Sequence, residues 1–287
     1  MNSRTLLIDA QARLATTLVL DAREARLEAR ILLQATLGVH HAWLLAHEID
    51  PLEENTCRQF ESSLQRRLAG EPIAYILGQR EFFGLMLKVT AATLIPRPDT
   101  ETLVEAALER IPEQPHGAAS YKVLDMGTGT GAIALAIASQ RPHAQVTATD
   151  QSKKALAVAQ ENAHALGLDR CIMKLSDWYT GLSGEQYDLI VSNPPYIQSS
   201  DPHLQQGDLR FEPSSALAAG DDGLKDIRHI VSGASAHLKP QGWLMLEHGY
   251  DQADAVTACM QVAGFQNIDH RRDIAGIARV TYGQWLE

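Results

Sequence analysis

From residue 121 onward, short apolar runs alternate with helical stretches. A chain built this way folds as a mostly parallel sheet covered by helices on both faces. Residues 123–126, 145–150, 171–175, 187–191, 243–247 and 278–282 read as strands. Residues 132–139, 153–165 and 227–238 read as helices, with Gly167 closing the second. Residues 199–223 form the one long irregular stretch, and a loop of that length inside a compact domain is usually functional.

The chain ahead of this region has a different character. Residues 1–72 read as helical. Asp21 with Glu24 makes a capping box, and Gly38 is a stop signal. Asp50-Pro51-Leu52-Glu53 reads as a second helix start, with Asp50 as N-cap and Pro51 in the first turn. Cys57, Phe60, Leu64 and Leu68 then recur at steps of three and four on one face, and Gly70 and Pro72 end the helix. His40, His41 and His47 have no cysteine or carboxylate at metal-ligand spacing, so no metal site is expected. Residues 73–98 read as a β-hairpin linker, with glycines between the β-prone runs Tyr75-Ile76-Leu77 and Leu85-Met86-Leu87-Lys88-Val89. Ile95-Pro96-Arg97-Pro98 is extended, because two prolines fix φ and push their predecessors out of the helical region. Residues 99–287 are left as the main domain.

Bulk properties narrow the function. No apolar run approaches the roughly 20 residues that span a bilayer, and residues 1–13 carry Asp9 and Arg13 and lack a secretory signal pattern. A cytoplasmic location is expected, without a membrane partner. Cys57, Cys171 and Cys259 are odd in number and far apart, which fits reduced thiols. The net charge of −10 argues against a broad nucleic-acid surface.

Two motifs carry the chemistry. In Asp125-Met126-Gly127-Thr128-Gly129-Thr130-Gly131-Ala132 a strand turns into a helix. Glycines there let a ligand approach the backbone, and the helix start offers free N–H groups. A plain tight turn needs fewer glycines. Asp150, about 20 residues on at the end of the next strand, is placed to accept both hydroxyls of a ribose, though a helix N-cap would look the same. Asp177-Trp178 follows the third strand, where an acid can take an adenine amino group and an aromatic can cover the base; Trp178 as core packing is the plain alternative. These features fit NAD and S-adenosylmethionine alike.

Asn193-Pro194-Pro195-Tyr196 after the fourth strand separates the two. The Asn193 side-chain oxygen and the Pro194 carbonyl can accept both hydrogens of one planar –NH2 group. The prolines add no competing N–H and stiffen the loop, and the Tyr196 ring can lie against the amide plane. An amide nitrogen is a weak nucleophile and a methyl sulfonium a strong electrophile, so alignment is the main task. The pattern points to methyl transfer from S-adenosylmethionine to a planar nitrogen, with Asn193, Pro194 and Tyr196 as catalytic candidates.

The chain resembles the bacterial release factor glutamine methyltransferases nearly end to end. The carriers are Glu71-Pro72-Ile73-Ala74-Tyr75-Ile76-Leu77-Gly78, Leu94-Ile95-Pro96-Arg97-Pro98-Asp99-Thr100-Glu101, the glycine loop, the Asn193 motif, Phe211-Glu212-Pro213 with Ala216-Leu217, and Leu246-Glu247-His248-Gly249. The resemblance implies an α/β fold: a seven-stranded, Rossmann-like class I methyltransferase domain, with a small all-helical N-terminal domain and a β-hairpin linker. It implies the glutamine of the Gly-Gly-Gln motif in class I peptide-chain release factors as substrate. A monomer without direct nucleic-acid contact is expected. Gly127, Thr128, Gly129, Thr130, Gly131, Asp150, Trp178 and Asn193 carry over as cofactor contacts. Asn193, Pro194, Pro195 and Tyr196 carry over as the substrate loop. Asp99 departs from the pattern, where many relatives have Glu. The alternatives are glutamine methylation of a ribosomal protein, adenine-N6 methylation of nucleic acid, and a non-catalytic binder of the same cofactor.

Overall fold

The computed structural model describes residues 1–114 and 120–287, and the chain divides into two compact units, Met1–Gly78 and Gln79–Glu287. The first is helical: α1 (Ser3–Leu18), α2 (Ala22–Leu37), α3 (His41–Ala46), α4 (Glu54–Leu68) and α5 (Ile73–Leu77). The capping box at Asp21 and Glu24 forms as expected, and Gly38 caps α2 in the left-handed conformation at φ 67°. Leu14, Leu32, Leu33, Phe60 and Leu64 are fully buried in the core of this unit. Arg67 on α4 makes a two-pronged, largely buried ion pair with Glu28 on α2, at 2.8 and 3.0 Å.

Two expectations for this unit need correction. The fourth helix is capped at Glu53 and not at Asp50. Pro51 instead forms an extended bridge to Asn2, and the Leu52 N–H donates to the Met1 carbonyl at 2.9 Å, so this segment is held straight by the N-terminus. Tyr75-Ile76-Leu77 is helical rather than β. Pro72 is its N-cap and Gly78, at φ 70°, its stop. The helical unit therefore runs on to Gly78, and only the later part of residues 73–98 forms the hairpin.

The second unit opens with that hairpin, β1 (Gln79–Phe82) and β2 (Leu85–Lys88). Its two turn residues, Phe83 and Gly84, both have positive φ, which matches the right-handed twist of the strands. Then follow α6 (Glu101–Leu108), β3 (Lys122–Met126), α7 (Ala132–Gln140), β4 (Gln145–Asp150), α8 (Lys153–Ala165), β5 (Ile172–Leu175), β6 (Tyr187–Ser192), α9 (Lys225–Ala234), β7 (Leu238–Glu247), α10 (Ala253–Val262), β8 (Gln266–Arg272) and β9 (Ala278–Gln284). The seven-stranded sheet has the order β5-β4-β3-β6-β7-β9-β8, with β5 to β7 mutually parallel and β9 antiparallel to both neighbours.

Strand alternation sorts the core into two layers. Val123, Val146, Leu189 and Met245 face the layer that contains α6 and α7. Leu124, Ile190, Leu244 and Leu246 face α9 and α10. The predicted helix over 227–238 stops at Ala234, and Leu238 already begins a strand. Pro240 and Gly242 disguise that strand, which tolerates them beside the irregularity between Tyr187 and Leu189. Residues 199–223 carry only short 3-10 turns. Among the described residues no helix is long and apolar enough to cross a membrane, and no group of three metal-ligating side chains occurs. All three cysteines are free, and burial pushes the Cys171 thiol up to about 11.

Candidate active site

β3 is the switch point of the sheet, since the chain leaves it towards β4 on one side and reaches β6 on the other. Ligands in such sheets bind outside the carboxyl ends of the strands at this point. A cleft of about 300 Å³ opens there, lined by Gly127, Gly129, Asp150, Trp178, Asn193 and Pro195 among others.

The glycine loop explains its composition. Gly127, Gly129 and Gly131 have φ of 71°, 57° and 84°, all in the left-handed region where a side chain is strained. A Cβ at Gly129 would meet no protein atom within 4 Å, so this residue presents bare backbone to open space. One at Gly131 would meet Leu135 at 3.0 Å and Ala159 at 3.3 Å, so here the glycine serves helix packing. Thr128 and Thr130 are buried and do not line the cleft. The Thr128 hydroxyl donates to Asp125 Oδ2 at 2.6 Å, and the Thr130 carbonyl accepts from Asn162 at 2.9 Å. Asp125 also accepts from the Ala134 N–H at 3.2 Å and so pins the loop to the first turn of α7. It is fully buried, and desolvation pushes its carboxyl up to about 7 against the bonds from Thr128 and Ala134.

Asp150 closes β4 at the cleft wall. Its Oδ2 accepts from the Gly129 N–H at 3.0 Å and its Oδ1 from the Ser152 N–H at 2.8 Å. Burial raises its pKa and these two bonds lower it. Across the cleft, Trp178 has a left-handed backbone, φ 47°, held by the Ser176 hydroxyl on its carbonyl at 2.6 Å. Its ring lies beside Gly127, where a Cβ would stand 3.8 Å from it. Asp177 and Asp226 complete this wall. Burial raises the Asp226 pKa, while Lys225, His229 and a hydrogen bond with Trp178 lower it.

β6 ends at Ser192, whose hydroxyl donates to the Met126 carbonyl at 2.6 Å and ties the Asn193 loop to the glycine loop. The Asn193 Nδ2 donates to Thr100 Oγ1 at 3.1 Å, which leaves its Oδ1 as the free acceptor. Pro195 lines the cleft and Pro194 is buried behind it. Tyr196 does not line the cleft. Its carbonyl accepts from Gln252 Nε2 at 3.0 Å, and burial raises its pKa, as does the charge of the nearby Glu247 carboxyl. Ile197 then bridges to Ala218, which draws the far end of the irregular 199–223 segment alongside.

Sequence reasoning missed several contributors. Ala91, Ala92, Thr93 and Leu94 form part of the cleft wall, as do Pro213, Ser215 and Ala216. Buried Glu212 accepts from the Ile95 N–H at 3.0 Å and pairs with Arg97, which clamps these two segments together. Thr100 and Glu247 stand behind Asn193 and Tyr196. Both lie in motifs that carry the family resemblance, yet no spacing rule connects them to Asn193.

Comparison with known proteins follows the same division. The methyltransferase small domain family matches residues 100–209, and the PrmC N-terminal domain family matches residues 5–78. The chain is similar to the release factor glutamine methyltransferase of Bordetella pertussis (strain Tohama I), with 50% identity over 268 residues that cover 93% of this chain and 97% of that protein. It is similar to the Escherichia coli (strain K12) protein of the same name, with 47% identity over 262 residues that cover 91% and 93%. A methyltransferase from Pyrococcus furiosus shares the fold, with TM-score 0.52, 17% identity and coverage of 79% of this chain and all of that one.

Proposed function

The chain belongs to the family of release factor glutamine methyltransferases, and from that membership we propose that it methylates the side-chain amide nitrogen of a glutamine. The substrate is the Gly-Gly-Gln glutamine of class I peptide-chain release factors, the methyl donor is S-adenosylmethionine, and the reaction belongs in the cytoplasm, where release factors act. One observation carries the reading. The cleft that Gly129 and Asp150 line also holds Asn193, and the Asn193 amide is turned with its nitrogen bound and its oxygen free.

The residues fit the cofactor. Gly127 and Gly129 offer bare backbone, Asp150 is an oriented acceptor for ribose hydroxyls, and Trp178 offers a ring face for the base. S-adenosylmethionine supplies a methyl group on a sulfonium that departs as a neutral thioether. The protein's own residues then have an alignment task. Asn193 Oδ1 and the Pro194 carbonyl take the two N–H groups of the glutamine, which fixes the nitrogen and raises its electron density. Pro195 and the buried Pro194 keep the loop stiff, and Tyr196 anchors its far end through Gln252. The extra proton on the methylated amide is strongly acidic and passes to solvent, so no general base is required. The helical unit, matched by the PrmC N-terminal domain family, serves recognition of the release factor or bracing of the catalytic unit.

The test is mass spectrometry of a release factor, a ribosomal-protein mixture and DNA after incubation with enzyme and S-adenosylmethionine. One added methyl on the Gly-Gly-Gln glutamine is expected. A methyl found only on ribosomal protein or on adenine overturns the reading.

A further inference from the structure

Trp178 carries a backbone that few aromatic residues adopt. Its φ of 47° lies in the left-handed region, where a bulky side chain crowds the following carbonyl and costs free energy. A loop with no task for this residue would place glycine or asparagine here. Strain of this kind persists only where the surroundings enforce it, and such residues cluster at functional sites.

Buried Ser176 enforces it. The Gly181 N–H donates to Ser176 Oγ at 2.9 Å, and a backbone N–H can only donate. The Ser176 hydroxyl proton therefore goes to the Trp178 carbonyl, which can only accept, at 2.6 Å. Backbone groups at both ends fix the direction of these bonds. Gly181 makes the close approach possible, since a Cβ there would stand 2.8 Å from the Leu175 carbonyl oxygen and 3.0 Å from Ser176 Oγ. Between them, the Thr180 N–H and hydroxyl both donate to the Asp177 carbonyl, at 3.0 and 2.9 Å, and close the turn. The next side chain is anchored as well: the Tyr179 hydroxyl donates to the Ile230 carbonyl at 2.7 Å, and its ring stacks on His237. The Ser176 N–H donates to the Asp150 carbonyl at 3.1 Å. Ser176 thus sets the Trp178 ring and the Asp150 carboxylate on one frame along the cleft wall.

We propose that Ser176 and Gly181 are positioning residues that hold Trp178 in its left-handed conformation, so that its ring stands ready as the platform for the base of S-adenosylmethionine, an inference that rests on the cofactor proposed above. A platform fixed before the cofactor arrives does not have to be ordered on binding, which favours affinity. At an ordinary φ the residue would aim its Cα–Cβ bond elsewhere and take the ring away from Gly127.

The experiment uses the full chain with Ser176→Ala, Gly181→Ala, Trp178→Gly, and Ser176→Ala combined with Trp178→Gly. Circular dichroism checks the fold, and calorimetric titration gives Kd for S-adenosylmethionine. Ser176→Ala and Gly181→Ala should each raise Kd about 5-fold or more, and Trp178→Gly about 10-fold or more, as loss of base–aromatic stacking does. For Ser176→Ala the loss should lie in Kd and in KM for the cofactor, with kcat at saturating cofactor within about twofold of wild type. In the Trp178→Gly background Ser176→Ala should raise Kd no further, because glycine needs no support at this φ and the ring is gone. Gly181→Ala leaves the Ser176 and Trp178 side chains chemically unchanged and decides the matter should Ser176→Ala fold poorly. A Kd within about twofold of wild type in folded Ser176→Ala or Gly181→Ala, with only the melting temperature lowered, is a structural effect alone and overturns the positioning role. A Ser176→Ala effect that persists in full beside Trp178→Gly would mean direct contact with the cofactor and overturns it too. An unchanged Kd in Trp178→Gly, or no binding of S-adenosylmethionine by the wild-type protein, would instead overturn the cofactor reading itself.

Discussion

The Gly129 N–H donates to Oδ2 of Asp150 at 3.0 Å, which ties the middle glycine of the loop to the acid that ends the next strand. Both residues are cleft walls, so the hydrogen bond makes one rigid edge from two segments 21 residues apart. Loss of the Asp150 carboxylate removes a charged acceptor and loosens that edge together. Asp150→Ala should weaken S-adenosylmethionine binding about 10- to 100-fold, since hydrogen bonds to charged groups are worth roughly 1.5–3 kcal/mol. Calorimetric titration measures it. An unchanged Kd, or NAD bound in its place, would remove Asp150 from the cofactor site.

Asn193→Ala should lower kcat by ~10²–10³ with the fold intact, because it deletes the acceptor proposed to align the reacting nitrogen. Circular dichroism and single-turnover rates check the two halves of this statement. More than half of the wild-type kcat in a folded variant contradicts the role.

Gly223 supports the same loop from behind. A Cβ there would stand 2.3 Å from the Tyr196 carbonyl oxygen and 2.8 Å from Gln252 Nε2, the donor that holds that carbonyl. Its φ of 72° adds strain for any side chain. Gly223→Ala should cost roughly 1–3 kcal/mol of stability and lower kcat by displacing Tyr196. Gly207→Ala is the control, at φ 52° with nothing within 4 Å. Thermal melts and kcat for both variants separate collision from backbone strain, and equal behaviour of the two would mean that Gly223 has no special tie to the loop.

The elements legible in the sequence are those with a local signature. The box at Asp21, the stop at Gly38, β4 and α8 follow from neighbours a few residues apart, and so do the three left-handed glycines. Other elements lack such a signature. α6 and α10 were not foreseen; in α6, Thr102, Leu103, Val104, Ala106 and Ala107 are all buried, which erases the amphipathic period. β8, Gln-Asn-Ile-Asp-His-Arg-Arg, is a polar edge strand that only its partner β9 makes regular. In the site, the cleft residues Gly127, Gly129, Asp150, Trp178, Asn193 and Pro195 were named from motif position. Thr100 lies 93 residues before Asn193 and meets it only once α6 is packed against the sheet, so no pattern in the chain announces the pair.

Asp125 makes stability depend on pH. Its carboxyl is raised from 3.8 to about 7, first by burial, with the bonds from Thr128 and Ala134 opposing and Asp150 adding to the rise. Below about pH 4 both folded and unfolded chains hold the proton, and the group costs nothing. Between about pH 4 and 7 the unfolded chain ionises while the folded one stays protonated, so stability falls with rising pH, by at most ~1.4 kcal/mol per unit. Above about pH 7 the loss is complete and constant. Asp125→Asn cannot titrate. The difference in unfolding free energy between wild type and Asp125→Asn should therefore shift against wild type across this window and level off above it. Denaturant unfolding at a series of pH values measures the difference, and a flat or opposite trend would contradict the raised pKa.

Substrate shape gives the sharpest test of the amide grip. Two acceptors, Asn193 Oδ1 and the Pro194 carbonyl, are proposed to take the two N–H groups of the target. A glutamate in place of the Gly-Gly-Gln glutamine offers no N–H and sets a negative charge against two oxygens. Each unpaired buried acceptor costs about 1–3 kcal/mol, more beside a charge. Sites built to hydrogen-bond a group can reject analogues that lack it by ~10⁴ or more. A release factor with Gly-Gly-Glu should accept no methyl and should compete poorly for the cleft. One with Gly-Gly-Asn keeps the amide but holds it one methylene short, and should be methylated very slowly. Tritium transfer from labelled S-adenosylmethionine to the three release-factor variants decides it. Comparable labelling of the glutamate variant, or label on another residue, would mean that the enzyme does not grip its substrate through the amide hydrogens.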